Sequence, residues 1–438
     1  MNSLKKIYCR AFQTVFKLAL PVLPYRNPKI IGSVEKIPRL LHKKKLTRVL
    51  IVTDPGIASL GLTKELEKAL TENGIFYAIY DRTAANPTTA NVEEALELYH
   101  AQFCEAIIGF GGGSSMDCAK AVGARVAKPR QSLEKMKGIL HVHAKLPLLI
   151  AVPTTAGTGS ETTLACVIVD AETRHKYVIN DFSLIPRYAV LDPNVTLSLP
   201  PFVTATTGMD ALTHAVEAYI GNTTTRGTRR DAERAVKLIF ENLDEAYTNG
   251  KNVKARRNML RASYYAGCAF TKSYVGYVHA VAHSLGGQYN VPHGLANAIL
   301  LPFVLEEYAS CLERDSCCHK DADSTAQRPD SEKRTGMSGG THLRRRREIY
   351  YEKLAALAAA AGVAKETDPK EEAAKAFIEA IKAMKKRFGI GDTVPELWKD
   401  DITKLAQYAD KEANPLYPVP VLMDAKELER FYYKVLER

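Results

Sequence analysis

No apolar run in this chain of 438 residues approaches the length of a membrane span, so a spanning protein is not expected. Cysteine supplies no framework. The eight cysteines are scattered, and only Cys317 and Cys318 adjoin. That argues against a disulfide-stapled secreted scaffold and fits a reducing, cytoplasmic setting. The G-x-G-x-x-G spacing of a dinucleotide fingerprint is missing as well. Acidic residues are absent up to Val34, in a chain of formal net charge +11. Its basic residues are dispersed apart from the run Arg344–Arg347, and no nucleic-acid motif accompanies them, so neither nucleic acid nor a membrane is expected as a partner. The acid-free start, LKKIYCRAFQTVFKLALPVLPYR, is basic and amphipathic. It reads either as a targeting peptide or as a helix. The missing small-residue cleavage site and the short apolar run Leu18–Leu23 favour a helix packed on the body of the protein or on a second subunit.

What is present begins as alternation. Arg48–Thr53 is a buried-strand run, followed by a helix through Lys64–Asn73 that stops at Gly74. Phe76–Tyr80, Ala106–Phe110 and Leu148–Val152 read as further strands, with Val92–Phe103 and Gly111–Lys120 as helices between them. This pattern predicts a parallel sheet with helices on both faces, which binds ligands beyond the carboxyl ends of its strands. Two strand ends carry phosphate chemistry. Gly111-Gly112-Gly113-Ser114 lets backbone amides approach an anion at a helix start, and Pro153–Glu161 adds threonine hydroxyls and two glycines. Such a loop is as often only a tight turn. Asp54 ends the first strand, where a carboxylate accepts from ribose hydroxyls and repels a ribose phosphate, favouring NAD over NADP; a helix-cap role is the equal alternative.

After Leu199-Pro200-Pro201 the pattern turns helical: Ala205–Ile220, Thr228–Tyr247, Val253–Phe270, Tyr277–Leu285, Gly294–Tyr308, Tyr350–Ala361, Lys370–Phe388 and Asp401–Asp410. The expected division is an α/β dinucleotide-binding domain over residues 1–196, with an N-terminal helical extension, and an all-α metal-binding domain over 197–438. The active site would be the cleft between them. The helical half holds a second constellation. Val278–Asn297 carries His279, His283 and His293, and Met209–Tyr219 carries Asp210 and His214 four residues apart. Residues spaced by four share a helical face, and His293 follows a Gly-Gly and a Pro that predict a turn. One carboxylate with several imidazoles suits Fe(II) or Zn(II) better than Mg or Ca. Each pair alone is more often a helix-surface or satisfied core pair; the two together point to a metal.

The segments GFGGGSSMDCAKA, PTTAGTGSE, MDALTHAVEAY and HAVAHSLGGQYNVPHGLANAILLP, in that order, resemble the iron-containing (group III) alcohol dehydrogenase family. The likeness runs from about Lys29 to Tyr308 and resumes from Tyr350, including ANPLYP near Asn414. It implies Asp210, His214, His279 and His293 as metal ligands, with His283 near the substrate as a proton carrier or as an orienting residue. It implies Asp54, Asn86, Gly112, Gly113, Ser114, Asp117, Thr154, Thr155, Thr158, Thr163 and Lys176 at the NAD site. As a Lewis acid the metal would lower a hydroxyl pKa from about 16 towards about 7, and the carbon would pass hydride to nicotinamide. The implied protein is a homodimer or other homo-oligomer acting on a small alcohol or aldehyde. Apolar Leu164, Val167, Phe270, Tyr274 and Tyr277 hint that this substrate is uncharged. The alternatives are a glycerol-type polyol dehydrogenase, a lyase of the dehydroquinate-synthase type and a non-catalytic NAD-binding module. The lyase needs a Lys/Arg cluster at the ligands, where only Lys272 is seen. The stretch Asp315–Arg347 departs from the family; polar and without periodicity, it is expected to be a disordered insertion. Its Cys317, Cys318, His319 and His342 fit no zinc spacing.

Overall fold

The computed structural model describes residues 1–173, 175–318 and 339–437. The chain forms two compact units, neither continuous in sequence. One comprises Val22–Ala211 and Asn242–Thr271, the other Met1–Pro21, Leu212–Glu241 and Lys272–Arg438.

The first unit is built on strands β1 (Lys29–Ile31), β2 (Arg48–Val52), β3 (Phe76–Tyr80), β4 (Ala106–Gly111), β5 (Gly138–Ile139), β6 (Leu148–Pro153), β7 (Ala165–Val169), β8 (Lys176–Asn180) and β9 (Tyr188–Val190). Six of them form a parallel sheet in the order β1-β9-β6-β4-β2-β3. Of the four strands expected from apolar runs, β6, β4 and β2 lie at its centre and β3 at one edge. Side chains alternate between the faces, so Leu50 and Val52 of β2 join one apolar layer while Val49 and Ile51 join the other. Helices α2 (Ile37–Lys43), α4 (Lys64–Glu72), α5 (Thr89–Ala101) and α6 (Gly113–Ala127) cover those layers, α5 and α6 on the first and α2 and α4 on the second. Two short helices, α3 (Pro55–Ser59) and α7 (Leu133–Met136), and α1 (Ser3–Ala19), which belongs to the other unit, complete the numbering to this point. A second sheet, β5-β8-β7, was not foreseen, although β7 is a wholly apolar run of five residues.

Helices α8 (Pro201–Ile220), α9 (Arg226–Thr248) and α10 (Val253–Ser273) run across the limits of the units. The second unit adds α11 (Tyr277–Tyr289), α12 (His293–Cys318), α13 (Gly339–Ala360), α14 (Lys370–Arg387), α15 (Ile402–Ala413) and α16 (Ala425–Val435). Its core is aromatic, with Tyr277, Tyr308, Tyr350, Phe377, Phe431 and Tyr432 fully buried. The acid-free N-terminus is helix α1, tied to this unit by polar contacts. Gln13 Nε2 donates to the Tyr417 carbonyl (2.8 Å), Arg10 to those of Val419 (2.7 Å) and Pro420 (2.9 Å), and Lys5 pairs with Asp410 (2.8 Å).

Three sequence expectations need correction. The Gly286-Gly287 pair is no turn: α11 continues to Tyr289 and is closed by Asn290 in the left-handed region (φ 58°). The bare Gly286 Cα lies close to the Val291 carbonyl, and a side chain would crowd it. Asp315–Arg347 is not irregular throughout, since α12 reaches Cys318 and α13 starts at Gly339. Arg344 bonds Glu348 one turn on and Arg347 bonds Glu371, which favours continued helix. Residues 319–338 lie outside the described residues, as do the side chains of Cys317, Cys318, His319 and His342. Finally, His293–Arg314 is long and apolar enough to cross a membrane by length and composition; 61% of its apolar window is buried inside the protein, which marks a core helix.

Candidate metal centre and dinucleotide site

Helix α8 presents Asp210 and His214 one turn apart. Helix α11 presents His279, and His293 is the first residue of α12, directly after Pro292. One ligand atom from each of these four residues lies within 4.8 Å of all the others. Asp210, His214 and His279 are buried and His293 is half-buried. The His214 and His279 rings are 4.4 Å apart, and those of His279 and His293 5.3 Å. Ligands about 2.0–2.2 Å from a common ion stand at most about 4.4 Å apart, so small side-chain rotations would close the set on a divalent cation.

Two further residues shape this cluster, and sequence reasoning passed over both. Glu217 sits three residues after His214 and is buried. Its carboxylate accepts from His279 Nδ1 (2.6 Å) and from the backbone N–H groups of Gly276 and Val278 (both 2.8 Å). That bond puts the proton of His279 on Nδ1 and leaves Nε2 as a lone-pair donor. Asn297 Nδ2 donates to that Nε2 (3.2 Å) and to His293 Nε2 (3.1 Å), so both nitrogens aim at one place. Burial pushes the Glu217 carboxyl up to about 8 and, with His214, His293 and His283 nearby, holds the His279 imidazole neutral, well below its usual range. A doubly charged ion at Nε2 would be offset by the carboxylates of Asp210 and Glu217. The donor types and the charge balance therefore fit the metal that the sequence implies. The signal for Glu217 was present, a carboxylate at i+3 from a candidate ligand, but its partner His279 lies on another helix.

His283 is one turn beyond His279 and 43% exposed. Its Nδ1 donates to Glu412 (2.6 Å), which also accepts from the Tyr417 hydroxyl (2.7 Å). Its ring stacks on that of His293, 5.1 Å apart at 18°. Burial opposes ionisation of Glu412, yet the His283 charge and hydrogen bond bring its carboxyl below the usual range. Tyr277, expected near a substrate, is instead a core residue that donates to the Met423 carbonyl (3.0 Å).

In the α/β unit, strand order reverses between β2 and β4, the place where open sheets of this kind take ligands. Asp54 follows β2 and the glycine loop follows β4. Asp54 caps α3 through Ile57 N (3.0 Å) and accepts from Ser115 Oγ (2.9 Å), which joins the two strand ends. Gly111 has φ 148°, and a Cβ there would collide with Ser115. Gly112, the cap of α6, has no atom within 4 Å of where a Cβ would stand, which leaves room for a group to reach the helix start. Gly113 lies against Thr158, and Ser114 donates to the Ala85 carbonyl beside Asn86. Lys176 Nζ donates to Asn86 Oδ1 (2.9 Å), both exposed. Thr154 is buried; Thr155 and Thr158 are partly open. Asp117 and Thr163 face inward. Asp117 accepts from Ser160 Oγ (2.8 Å) and Val167 N (3.0 Å), and Thr163 accepts from the buried Lys120 ammonium (2.8 Å). That ammonium also donates to Ser160 Oγ (2.9 Å), so Lys120 ties α6 to the Thr/Ser loop. Sequence reading missed Lys120, because nothing in a helical Lys signals full burial.

An acid-and-imidazole cluster on helices, together with glycine and threonine loops at the switch point of a parallel sheet, defines a metal-linked dinucleotide oxidoreductase. The chain belongs to the iron-containing alcohol dehydrogenase family: the family's sequence profile matches residues 29–193, and the profile of its C-terminal part matches residues 204–436. It is 42% identical over 280 residues to alcohol dehydrogenase 4 of Saccharomyces cerevisiae, covering 64% of this chain and 73% of that one. A crystal structure of 1,3-propanediol oxidoreductase superposes with TM-score 0.81 at 31% identity, over 94% of this chain and 98% of that one. Sulfoacetaldehyde reductase from Bifidobacterium kashiwanohense in complex with NAD+ superposes with TM-score 0.74 at 25% identity, again over 94% and 98%.

Proposed function

We propose that the protein is an NAD(H)-linked, metal-dependent alcohol dehydrogenase and aldehyde reductase. Asp210, His214, His279 and His293 hold the metal, Fe(II) in the first place and Zn(II) as the alternative, since both accept this donor set. The observation that carries the reading is the convergence of those four ligand atoms within 4.8 Å, beside a carboxylate that fixes the His279 tautomer. When bound, the ion supplies Lewis acidity toward a hydroxyl or carbonyl oxygen, and the nicotinamide takes or gives the hydride.

The chain's own residues do the rest. Glu217 locks the His279 ring and offsets charge. Glu412 and Tyr417 lock His283, whose Nδ1–H is committed to Glu412 and whose partly exposed ring can pass a proton to solvent. In the α/β unit Gly112, Gly113 and Ser114 offer amide and hydroxyl donors to the pyrophosphate, with Thr154, Thr155 and Thr158 on the neighbouring loop. Asp54 accepts from the adenosine ribose and disfavours a 2′-phosphate, so NAD is preferred to NADP. Asn86 and Lys176 act as a pair at the rim. Asp117 and Thr163 act through Ser160 and Lys120, shaping the loop without touching the cofactor. The five buried free thiols, Cys9, Cys104, Cys118, Cys166 and Cys268, support a reducing cytoplasmic setting. We take a homo-oligomer as the working form.

NADH absorbance with a panel of short alcohols, diols and aldehydes, run anaerobically with and without added Fe(II), tests this reading. Metal-dependent turnover of several uncharged members is expected. A phosphate-dependent reaction without net redox would replace it with the lyase reading.

A further inference from the structure

Helix α1 packs through a mixed side, where Phe16 lies against Tyr274 and Cys9 is buried among polar anchors. Its body-facing side carries Lys5, Cys9, Arg10 and Gln13, and polar bonds to Asp410 and to the carbonyls of Pro415, Tyr417, Val419 and Pro420 fix its rotation. The opposite side carries Leu4, Ile7, Tyr8, Val15 and Leu18, which are 80, 66, 59, 67 and 74% exposed. At 100° per residue these five fall within a sector about 100° wide, a continuous apolar stripe 17 residues long at most. Scattered exposed apolar side chains need no explanation, but a contiguous stripe marks an interaction surface.

The charge on α1 itself has one sign. Helix α1 contains Lys5, Lys6, Arg10 and Lys17 and no acid. Arg346 donates to the Pro420 carbonyl (2.9 Å), the group that also accepts from Arg10, so the run Arg344–Arg347 at the start of α13 stands beside α1. Glu348 and Glu371 pair with Arg344 and Arg347, while exposed Lys6, Lys17 and Arg345 add positive charge. Further along α13, burial and then the charges of Lys17, Arg229 and Arg10 push the Lys353 ammonium down to about 8, a mark of the same positive field.

We propose that this face of α1, flanked by Lys6, Lys17 and Arg344–Arg347, docks on a bilayer surface containing anionic phospholipid, with α1 lying in the plane of the interface. Apolar side chains would enter the acyl boundary while the neighbouring cations meet headgroups. Pairing with α1 of a second copy would instead bring two acid-free basic helices together, at a cost in like-charge repulsion. The cytoplasmic leaflet carries the anionic charge this surface fits, and a peripheral enzyme held there stays in a reducing compartment. A lipid surface thus joins the partners, against the expectation drawn from the sequence.

Sedimentation of the full-length, metal-loaded enzyme with vesicles tests the proposal, using phosphatidylcholine alone and phosphatidylcholine with phosphatidylglycerol in equal parts. Binding to the anionic vesicles is expected to exceed binding to the neutral ones by roughly tenfold or more and to weaken with added salt. Ile7→Glu combined with Leu18→Glu should abolish it with turnover in free solution unchanged. Lys6→Glu with Lys17→Glu, which leaves the stripe and the packed side intact, should weaken it by about tenfold. Failure of the wild type to sediment, equal binding to neutral vesicles, or variants that bind like the wild type would each overturn it. A wild type that ignores vesicles but falls to a smaller native mass on Ile7→Glu/Leu18→Glu would assign the face to a second copy instead.

Discussion

The two candidate sites are built by opposite means. In the α/β unit the binding groups are backbone amides and hydroxyls of two short loops, each contiguous in sequence and each at a strand end. In the metal cluster they are side chains from separate helices, α8, α11 and α12, and each of two histidines is held by a carboxylate from an element other than its own. A loop site depends on main-chain shape and tolerates changes outside its few glycines. A side-chain cluster depends on every helix keeping its rotation, so its supporting residues matter nearly as much as its ligands.

The strongest way to break this contrast is to remove a ligand. His279→Ala should lower turnover by roughly a thousandfold or more and abolish metal retention, because several kcal/mol of charge stabilisation go with the ion. NADH binding, read by its fluorescence, should survive; its loss would show that the two sites are not separable. Glu217→Gln probes the supporting layer. It keeps the shape but removes the charge that orients His279, and metal affinity should fall by about tenfold to a hundredfold in a competition titration with a chelator. Unchanged affinity would mean that His279 needs no orienting partner.

Gly112→Ala sharpens the other side. Nothing lies within 4 Å of the new methyl, so stability should hold while the KM for NAD rises by roughly tenfold, since the backbone can no longer approach the pyrophosphate; metal content should not change. The smallest effect on turnover should come from Glu161, whose carboxyl burial pushes up from 4.5 to about 7. A raised carboxyl pKa means that the folded state binds the extra proton between those values, so stability falls as pH rises through that window and stays low above it. Glu161→Gln should flatten the pH profile of unfolding free energy between pH 4.5 and about 7, removing up to about 3 kcal/mol of its fall. A slope equal to the wild type's would remove Glu161 as its source.

Much of this contrast was legible in the sequence, and unevenly so. Apolar runs located the central strands β6, β4 and β2, and β3 beside them, because a buried parallel strand must be apolar on both faces. The apolar run of β7 was passed over, and β7, β8 and β5 formed their own sheet unseen. Spacing by four put Asp210 with His214 on α8, but the bonds that set Glu217 on His279 and Glu412 on His283 join elements far apart in sequence. Asp117 and Thr163 look like cofactor residues by motif; in the structure they contact Ser160 and the buried Lys120, links that no motif reports. Local periodicity cannot report burial of a charge, since that is decided by what packs over it.

Metal analysis of the anaerobically purified protein, beside the His279→Ala variant, bears most directly on the central claim. A single divalent ion per chain, predominantly iron or zinc, is predicted in the wild type and none in the variant, with both binding NADH alike. Equal metal content in the two proteins, or full turnover by the variant, would contradict it.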